Sequence, residues 1–297
     1  MKAHSVLLAL FLLIGYTINI VAQVDRNLRF THLTNDNGLP TNTIYSLCQD
    51  FKGFIWIATA NGLCKYDGRS ISVYEVEPTK GERKKGGIIR HVFEDKRHRL
   101  WVITHKGVNL YNRNKDNFNF VSVDSLNNFS RVIYQDDKGK IYMGGSGAFI
   151  YNEQTSKFDP FYVNQDETIT AFITAITSDQ KGQMWFGRMY GGLICADVEN
   201  GKLTRYKHND HNINSLISNK VTSLFTDHHG RIWIGTEDKG ICYFDSSTNK
   251  FIRIEGFPQI CVRTFAEDAE GNIWIGSENG LYIYLSDENK FINYKQN

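Results

Sequence analysis

The sequence predicts an all-β fold, a β-propeller of four-stranded antiparallel blades, from two observations. A D-x-x-G-x-x-W pattern recurs along the chain, and its aromatic position returns every 41 to 48 residues. Around each copy, apolar and polar residues alternate in short runs that turn residues separate, as they do in β-strands. A period of this length is typical of one propeller blade, so we expect six blades in a partial ring or in a ring of six or seven.

Four of the six copies keep the full pattern and two are degenerate. His98 replaces the glycine of the second copy, and Tyr142 replaces the tryptophan of the third. All five tryptophans of the protein therefore stand at one repeat position. The repeats are centred on Trp56, Trp101, Tyr142, Trp185, Trp233 and Trp274. We predict a structural role for these residues of the motif: Asp50, Gly53, Trp56, Asp95, Trp101, Asp136, Asp179, Trp185, Asp227, Trp233, Asp268 and Trp274.

Each copy contains four predicted strands. The first is apolar and ends just before the motif aspartate, as the run from Ile44 to Cys48 does. The D-x-x-G segment is a predicted turn, because aspartate accepts hydrogen bonds from the backbone that follows it and glycine tolerates a positive φ. The second strand carries the aromatic residue, and two further strands follow. We expect each indole to pack between neighbouring sheets, with carbohydrate stacking as the alternative.

The N-terminus has the layout of a signal peptide. Lys2 precedes an apolar run that begins at Val6, and Ala22 offers a small residue at the cleavage site. The apolar run is short for a membrane span, although an uncleaved anchor stays an alternative. We therefore expect a signal peptide at 1–22, a propeller at 23–297 and a location outside the cytoplasm, which the family resemblance below narrows to the periplasm.

Composition narrows the classes of function. The net charge is only +2, from 34 basic and 32 acidic residues spread along the chain, which argues against a nucleic-acid surface. Five cysteines cannot all pair within the chain, and no metal-ligand spacing such as C-x-x-C occurs. We expect buried free thiols, no metal and no cofactor.

Two stretches resemble the repeats of a known family. The first runs from Phe30 to Ile71 and contains Asn37-Gly38-Leu39-Pro40, and the second runs from Asn212 to Asp245 and contains Trp233-Ile234-Gly235-Thr236. Both are similar to repeats of the two-component regulator propeller family. The resemblance implies the periplasmic sensor part of a membrane-bound hybrid histidine kinase from polysaccharide-degrading gut bacteria. It also implies glycan sensing and a tendency towards seven blades.

Relatives in that family continue into a second propeller, a β-sandwich, a membrane helix and kinase domains. This sequence shows none of these after its sixth repeat. On the strength of the resemblance, we expect a truncated product or a fragment of such a sensor, with no enzymatic activity of its own.

If the strand before each motif aspartate is innermost, we expect a ligand site at the mouth of the central channel, lined by the first residues of these strands. Five residues before each motif aspartate stand Tyr45, Arg90, Arg131, Thr174, Thr222 and Arg263. Three arginines at one register would face a shared axis and could bind the carboxylates or sulfates of an acidic oligosaccharide. Alternatively, they pair with acids of adjacent blades or face water. Together with the turns that follow the aromatic strands, the candidate residues are Arg90, His105, Arg131, Arg188, Tyr190, Glu237 and Arg263.

Two other functions stay open at this stage. A propeller enzyme of the lyase type is one, but no G-x-S-x-G, H-E-x-x-H or similar catalytic pattern occurs. A protein-docking scaffold is the other, and an exposed apolar patch at one rim would favour it. An incompletely closed ring has unpaired edges, so we also expect self-association or a second propeller chain as a partner.

Overall fold

Six antiparallel sheets of four strands follow one another along the chain. The computed structural model describes residues 30–76, 87–123, 129–164, 167–169 and 171–295, and the predicted signal peptide lies outside them. Within each sheet the strands lie in chain order. Blade 1 consists of β1 (Ile44–Gln49), β2 (Ile55–Thr59), β3 (Gly62–Tyr66) and β4 (Ile71–Tyr74). Blade 2 consists of β5 (Ile89–Glu94), β6 (Leu100–Thr104), β7 (Val108–Asn112) and β8 (Asn117–Val121). Blade 3 consists of β9 (Ser130–Gln135), β10 (Ile141–Gly145), β11 (Ala148–Asn152) and β12 (Lys157–Pro160).

A short hairpin separates the two halves of the chain, and three more blades follow it. The hairpin, which the repeat pattern does not predict, is formed by β13 (Tyr162–Asn164) and β14 (Glu167–Thr168). A single turn of 3₁₀ helix at Asn35–Asn37 precedes blade 1. Blade 4 consists of β15 (Ile173–Ser178), β16 (Met184–Arg188), β17 (Gly192–Asp197) and β18 (Lys202–Tyr206). Blade 5 consists of β19 (Val221–Thr226), β20 (Ile232–Thr236), β21 (Ile241–Asp245) and β22 (Lys250–Arg253). Blade 6 consists of β23 (Val262–Glu267), β24 (Ile273–Ser277), β25 (Gly280–Leu285) and β26 (Lys290–Tyr294). The predicted β-propeller of four-stranded antiparallel blades is confirmed.

The motif aspartate organises the first hairpin of each blade. In blade 5, Asp227 Oδ1 accepts a hydrogen bond from the backbone N–H of Arg231 at 2.8 Å, and Asp227 Oδ2 accepts one from Trp233 Nε1 at 2.8 Å. The indole-to-carboxylate bond recurs in all five tryptophan blades at 2.8 to 3.1 Å. In blade 3 the Tyr142 hydroxyl donates to Asp136 at 3.3 Å instead. One buried carboxylate thus satisfies both the turn amide and the indole N–H.

The fourth residue of this turn adopts a left-handed backbone conformation. Its φ is +77° at Gly230 and similar at the other glycines, while His98 of the degenerate copy has φ +62°. A turn of this shape favours glycine, and the backbone of His98 accepts a strained conformation to keep it.

Four of the five motif tryptophans pack on the next blade. Trp56 lies 5.0 Å from Tyr111 between ring centroids, and Trp233 lies 5.4 Å from Tyr284. The receiving ring comes from the third strand, where it pairs with the residue before the motif aromatic, as Tyr284 pairs with Ile273. Such contacts bury large apolar areas between neighbouring sheets. The same contact joins blades 2 and 3 and blades 4 and 5, through Trp101 with Tyr151 and Trp185 with Phe244.

Blade 6 has a motif tryptophan and blade 1 has a ring at the receiving position, but neither makes this contact in the described residues. Trp274 is partly exposed, whereas the other four tryptophans are buried. On blade 1, Tyr66 holds the register of a receiving ring, because it pairs with Ile55. The innermost strands of successive blades contact one another from β1 to β23, but the described residues show no comparable contact between β23 and β1.

Exposure of apolar side chains confirms that blade 1 has an uncovered face. Tyr45 and Leu47 of β1 are 45% and 64% exposed. At the same register in β15, which lies between two blades, Thr174 and Ile176 are 6% and 5% exposed. The difference follows from position, since nothing in the described residues takes the place of a preceding blade beside the inner strand of blade 1.

Candidate functional site

The second residue of every inner strand is a β-bulge. In blade 2 the pairing register between β5 and β6 jumps from Ile89 to His91 and leaves Arg90 unpaired. In blade 3 the register between β9 and β10 jumps across Arg131 in the same way. The other four blades show the same irregularity at this position. A bulge redirects the extra side chain. Six side chains at one end of the channel therefore do not follow the alternating orientation of side chains along their strands.

Arginine and aromatic side chains form a continuous ladder at this mouth. The guanidinium carbon of Arg90 lies 5.6 Å from the ring centre of Tyr45 and 5.5 Å from that of Phe129. The guanidinium carbon of Arg131 lies 5.7 Å from the ring centre of Phe172. The rings of Phe129 and Phe172 stack at 5.1 Å with an angle of 29°. These distances are those of cation–π contacts, and we call the five residues the arginine–aromatic ladder.

The positive charges of the guanidinium groups at the mouth also affect the pKa of Arg131. Burial, and then the charges of Arg90 and Arg263, lower the pKa of Arg131. Among the described residues, neither Arg90 nor Arg131 pairs with a carboxylate, whereas Arg263 donates to Glu278 at 2.8 Å. The buried Nε of Arg90 has no hydrogen-bond partner among the described residues either. The mouth therefore holds positive charge that no described protein group neutralises.

The threonines at the same register are already engaged. Thr174 donates through its hydroxyl to the carbonyl oxygen of Val221 at 2.6 Å, and Thr222 donates to that of Val262 at 2.6 Å. Both bonds connect one blade to the next. Blades 4 and 5 therefore use this position to join inner strands, while blades 2 and 3 use it to present arginine.

The remaining candidate residues lie around the same rim in different settings. Tyr190 is 78% exposed in the turn after β16, and the neighbouring backbone N–H of Met189 bonds the carbonyl oxygen of Phe172 at 3.2 Å. His105 is exposed in the corresponding turn of blade 2. Arg188 donates to the carbonyl oxygen of Gly191, and burial followed by the charge of Arg205 lowers its pKa. Tyr190 thus lies beside the ladder.

Glu237 is committed to an ion pair. Its carboxylate lies 3.4 Å from Lys220 Nζ, which also contacts Asp238 at 3.4 Å. Sequence reasoning included Glu237 in the candidate set, yet the structure places it in a small charged cluster of blade 5. It is not part of the ladder.

Sequence reasoning missed Phe129 and Phe172. Each stands two residues before the bulge residue of its blade, so a search at that offset would have identified both. Their carbonyl groups accept hydrogen bonds from the turns after β10 and β16, at 2.8 Å from Ser146 and 3.2 Å from Met189. These bonds hold the two rings at the rim of the channel.

The opposite mouth offers a groove whose polar groups are already paired. Phe51 and His98 line it with ring centres 4.4 Å apart. The backbone N–H of Phe51 donates to Glu94 at 2.7 Å, and Arg113 bridges Glu94 and Asp50. Because these charges are matched, this end is the weaker candidate for a ligand site.

The described residues contain neither a membrane-spanning helix nor a cluster of metal ligands. No helix there has the length and apolar character needed to cross a bilayer. No group of three or more histidine, cysteine or acidic side chains there is arranged to hold a metal ion.

Comparison with known proteins identifies the repeats. The family model described as two component regulator propeller matches residues 38–61, 215–238 and 256–279, which fall in blades 1, 5 and 6. No curated protein matches the chain in sequence.

Solved structures from Bacteroides resemble the chain in fold. The extracellular domain assigned to the hybrid two-component system BT4673 of B. thetaiotaomicron is 26% identical with a TM-score of 0.72, and the alignment covers 88% of this chain and 34% of that one. That of BT3049 from the same organism is 23% identical with a TM-score of 0.75, and covers 90% of this chain and 37% of that one. The chain therefore spans about a third of the length of these domains.

A lyase shares the architecture at lower identity. Virginiamycin B lyase from Staphylococcus aureus is 15% identical with a TM-score of 0.66, and the alignment covers 90% of this chain and 87% of that one. Identity at this level concerns the fold alone. The matched repeats lie at equivalent positions of separate blades, and in them the chain resembles the two-component regulator propeller family.

Proposed function

We propose that this propeller is the ligand-sensing domain of a two-component regulatory system outside the cytoplasm, and that it binds an oligosaccharide at the mouth that carries the arginine–aromatic ladder. The family and the extracellular domains it resembles support the sensor role. A cluster of exposed aromatic rings supports an oligosaccharide as the ligand. Tyr45, Phe129, Phe172 and Tyr190 are 45%, 36%, 37% and 78% exposed. Sugar rings pack on aromatic faces, and four such faces at one rim are a suitable surface for a saccharide.

The rings belong to different blades, which gives binding a structural consequence. Tyr45 lies in blade 1, Phe129 precedes the inner strand of blade 3, and Phe172 precedes that of blade 4. A saccharide that contacts all three would connect blade 1 to blades 3 and 4, whereas blades 3 and 4 already pack directly on each other. Ligand binding would therefore stabilise one relative placement of these blades, and such a difference between states is what a sensor transmits.

Thermal melting with a panel of neutral and acidic plant and host oligosaccharides tests the proposal. A ligand at 100 times its Kd should stabilise the folded state by about 2.7 kcal/mol and raise the Tm accordingly. Phe172→Ala should reduce this rise. Phe51→Ala is the matched control, since Phe51 is an aromatic residue of comparable exposure at the opposite mouth. If a well-folded wild-type protein shows no rise with any saccharide, the proposal fails.

A protein-docking role is the second candidate, and the apolar face of blade 1 favours it. Leu47 and Val73 are 64% and 50% exposed on that blade. Exposed apolar patches often mark protein interaction sites. Leu47→Lys would weaken association with a protein partner and leave a saccharide-induced rise in Tm unchanged, so the two roles are separable.

A further inference from the structure

Arg90 and Arg131 are unusual because they are charged, partly buried and without an acidic partner among the described residues. Both lie at the bulge positions of adjacent blades, so their side chains converge on one part of the rim. Removing a guanidinium from water without an anionic partner is unfavourable, and proteins seldom retain such a charge without one. The arrangement therefore calls for an anion from outside the described residues.

The N–H groups of Arg90 are available to an anion. Its guanidinium carbon lies within 5.6 Å of the ring centres of Tyr45 and Phe129, which are uncharged neighbours. A guanidinium donates hydrogen bonds through its in-plane N–H edge, and the buried Nε on that edge of Arg90 has no acceptor among the described residues. Two oxygens of one carboxylate or sulfate match that edge and form paired bonds, which are shorter and stronger than neutral ones.

The charge is concentrated on one side of the mouth. Arg263, at the same register in blade 6, is already bonded to Glu278 at 2.8 Å. Thr174 and Thr222 in blades 4 and 5 bond the backbone of the next blade. Among the described residues, positive charge without an acidic partner therefore lies on blades 2 and 3, while Phe172 and Tyr190 of blade 4 offer uncharged aromatic surface next to it.

We infer that the saccharide bound here carries a carboxylate or sulfate group, that Arg90 and Arg131 bind that group, and that the adjoining sugar rings lie over Phe172 and Tyr190. This inference rests on the proposed function, because it names the chemical class of the same ligand. It also gives the ligand a direction, with the anionic group above blades 2 and 3 and the neutral part above blade 4.

Isothermal titration calorimetry with chemically matched pairs tests the inference. One pair is an oligogalacturonide and its methyl ester, and the other is a sulfated chondroitin disaccharide and its desulfated form, so the two arms distinguish carboxylate from sulfate. In one of the pairs the acidic member should bind about tenfold more tightly or better, as expected for one charge-assisted paired contact. That advantage should shrink as salt is added.

Variants assign the effect to the two arginines. Arg131→Gln and Arg90→Gln should remove the preference for the acidic member, and Arg131→Lys should restore only part of it, because lysine keeps the charge and loses the paired geometry. Arg253→Gln is the control, since Arg253 is exposed on the outer strand β22. The Tm of each variant without ligand shows whether it has folded.

The possible outcomes separate this inference from the proposed function. Equal binding of the acidic and neutral members overturns the inference and leaves saccharide sensing intact. Binding of inorganic sulfate alone, lost in Arg131→Gln and accompanied by no saccharide binding, supports the anion clamp but overturns saccharide sensing. Preference for the acidic member that survives both glutamine variants also overturns the inference.

Discussion

Glycines on the aromatic strands set how closely neighbouring blades approach, and a pair of substitutions tests this. A Cβ atom at Gly235 of blade 5 would lie 2.2 Å from Ser223 Oγ and 2.7 Å from Cγ1 of Val262, which is fully buried in blade 6. Val262 is β-branched and packed, so it can move only by displacing β23. Overpacking of this kind costs about 1 to 3 kcal/mol.

Gly276 occupies the same position in blade 6 and serves as the control. A Cβ atom there would meet only Cγ2 of Thr264 at 2.9 Å and the carbonyl oxygen of Thr264 at 4.0 Å, both in the same blade. Thr264 is exposed and can rotate. We therefore expect Gly276→Ala to change the free energy of unfolding by no more than about 0.5 kcal/mol, or to raise it slightly through the loss of glycine's freedom in the unfolded chain.

Urea denaturation followed by tryptophan fluorescence measures both effects. Gly235→Ala should lower the midpoint clearly, and Gly187→Ala should do the same, because its Cβ would lie 2.6 Å from Cγ1 of Val221. A large loss in Gly276→Ala, equal to that in Gly235→Ala, would refute the reasoning. That result would mean that another blade packs on the face of blade 6 that is turned away from blade 5.

Three further predictions concern buried groups. Burial lowers the pKa of His91 from 6.5 to about 4, so between these pH values the unfolded chain binds a proton that the folded chain rejects. Stability should therefore fall as the pH drops from 6.5 towards 4, and His91→Asn should flatten this part of a Tm-against-pH profile. Burial raises the pKa of Cys64 to about 11 and of Cys242 to about 12, so both thiols should react with a disulfide reagent such as DTNB only after unfolding; rapid labelling of the native protein would contradict this. Asp227→Ala leaves the buried indole N–H of Trp233 without an acceptor and should lower the free energy of unfolding by about 1 to 3 kcal/mol or more in a denaturation experiment, and an unchanged midpoint would contradict the role given to this carboxylate.

The repeat spacing was sufficient to predict the blades because each blade is built from local contacts. The motif aspartate, its turn and the aromatic strand lie within seven residues, as from Asp50 to Trp56, so their relation is visible in the sequence. The indole-to-carboxylate bond was not predicted, because it depends on how the hairpin brings the sixth following residue back over the aspartate. The hairpin of β13 and β14 lies outside the repeat and carries no such signal.

The site was only partly predictable, since it depends on strand register. The sequence places Arg90, Arg131 and Arg263 at one position, but it does not reveal the bulge that redirects them. Nor does it show that Arg263 meets Glu278, which comes from the next turn of the same blade. Two aromatic residues of the ladder were missed for a similar reason, because their role follows from the neighbouring blade and not from their own strand.

The unmatched halves at blades 6 and 1 show what a single repeat encodes. Trp274 and Tyr66 are the two parts of a contact that the other tryptophan blades complete with a neighbour. A repeat therefore specifies an adjacent unit on each side and contains no information about how many units make a circle. In a protein assembled this way, the number of blades is free to change by whole units, because any added repeat meets a surface already shaped to receive it.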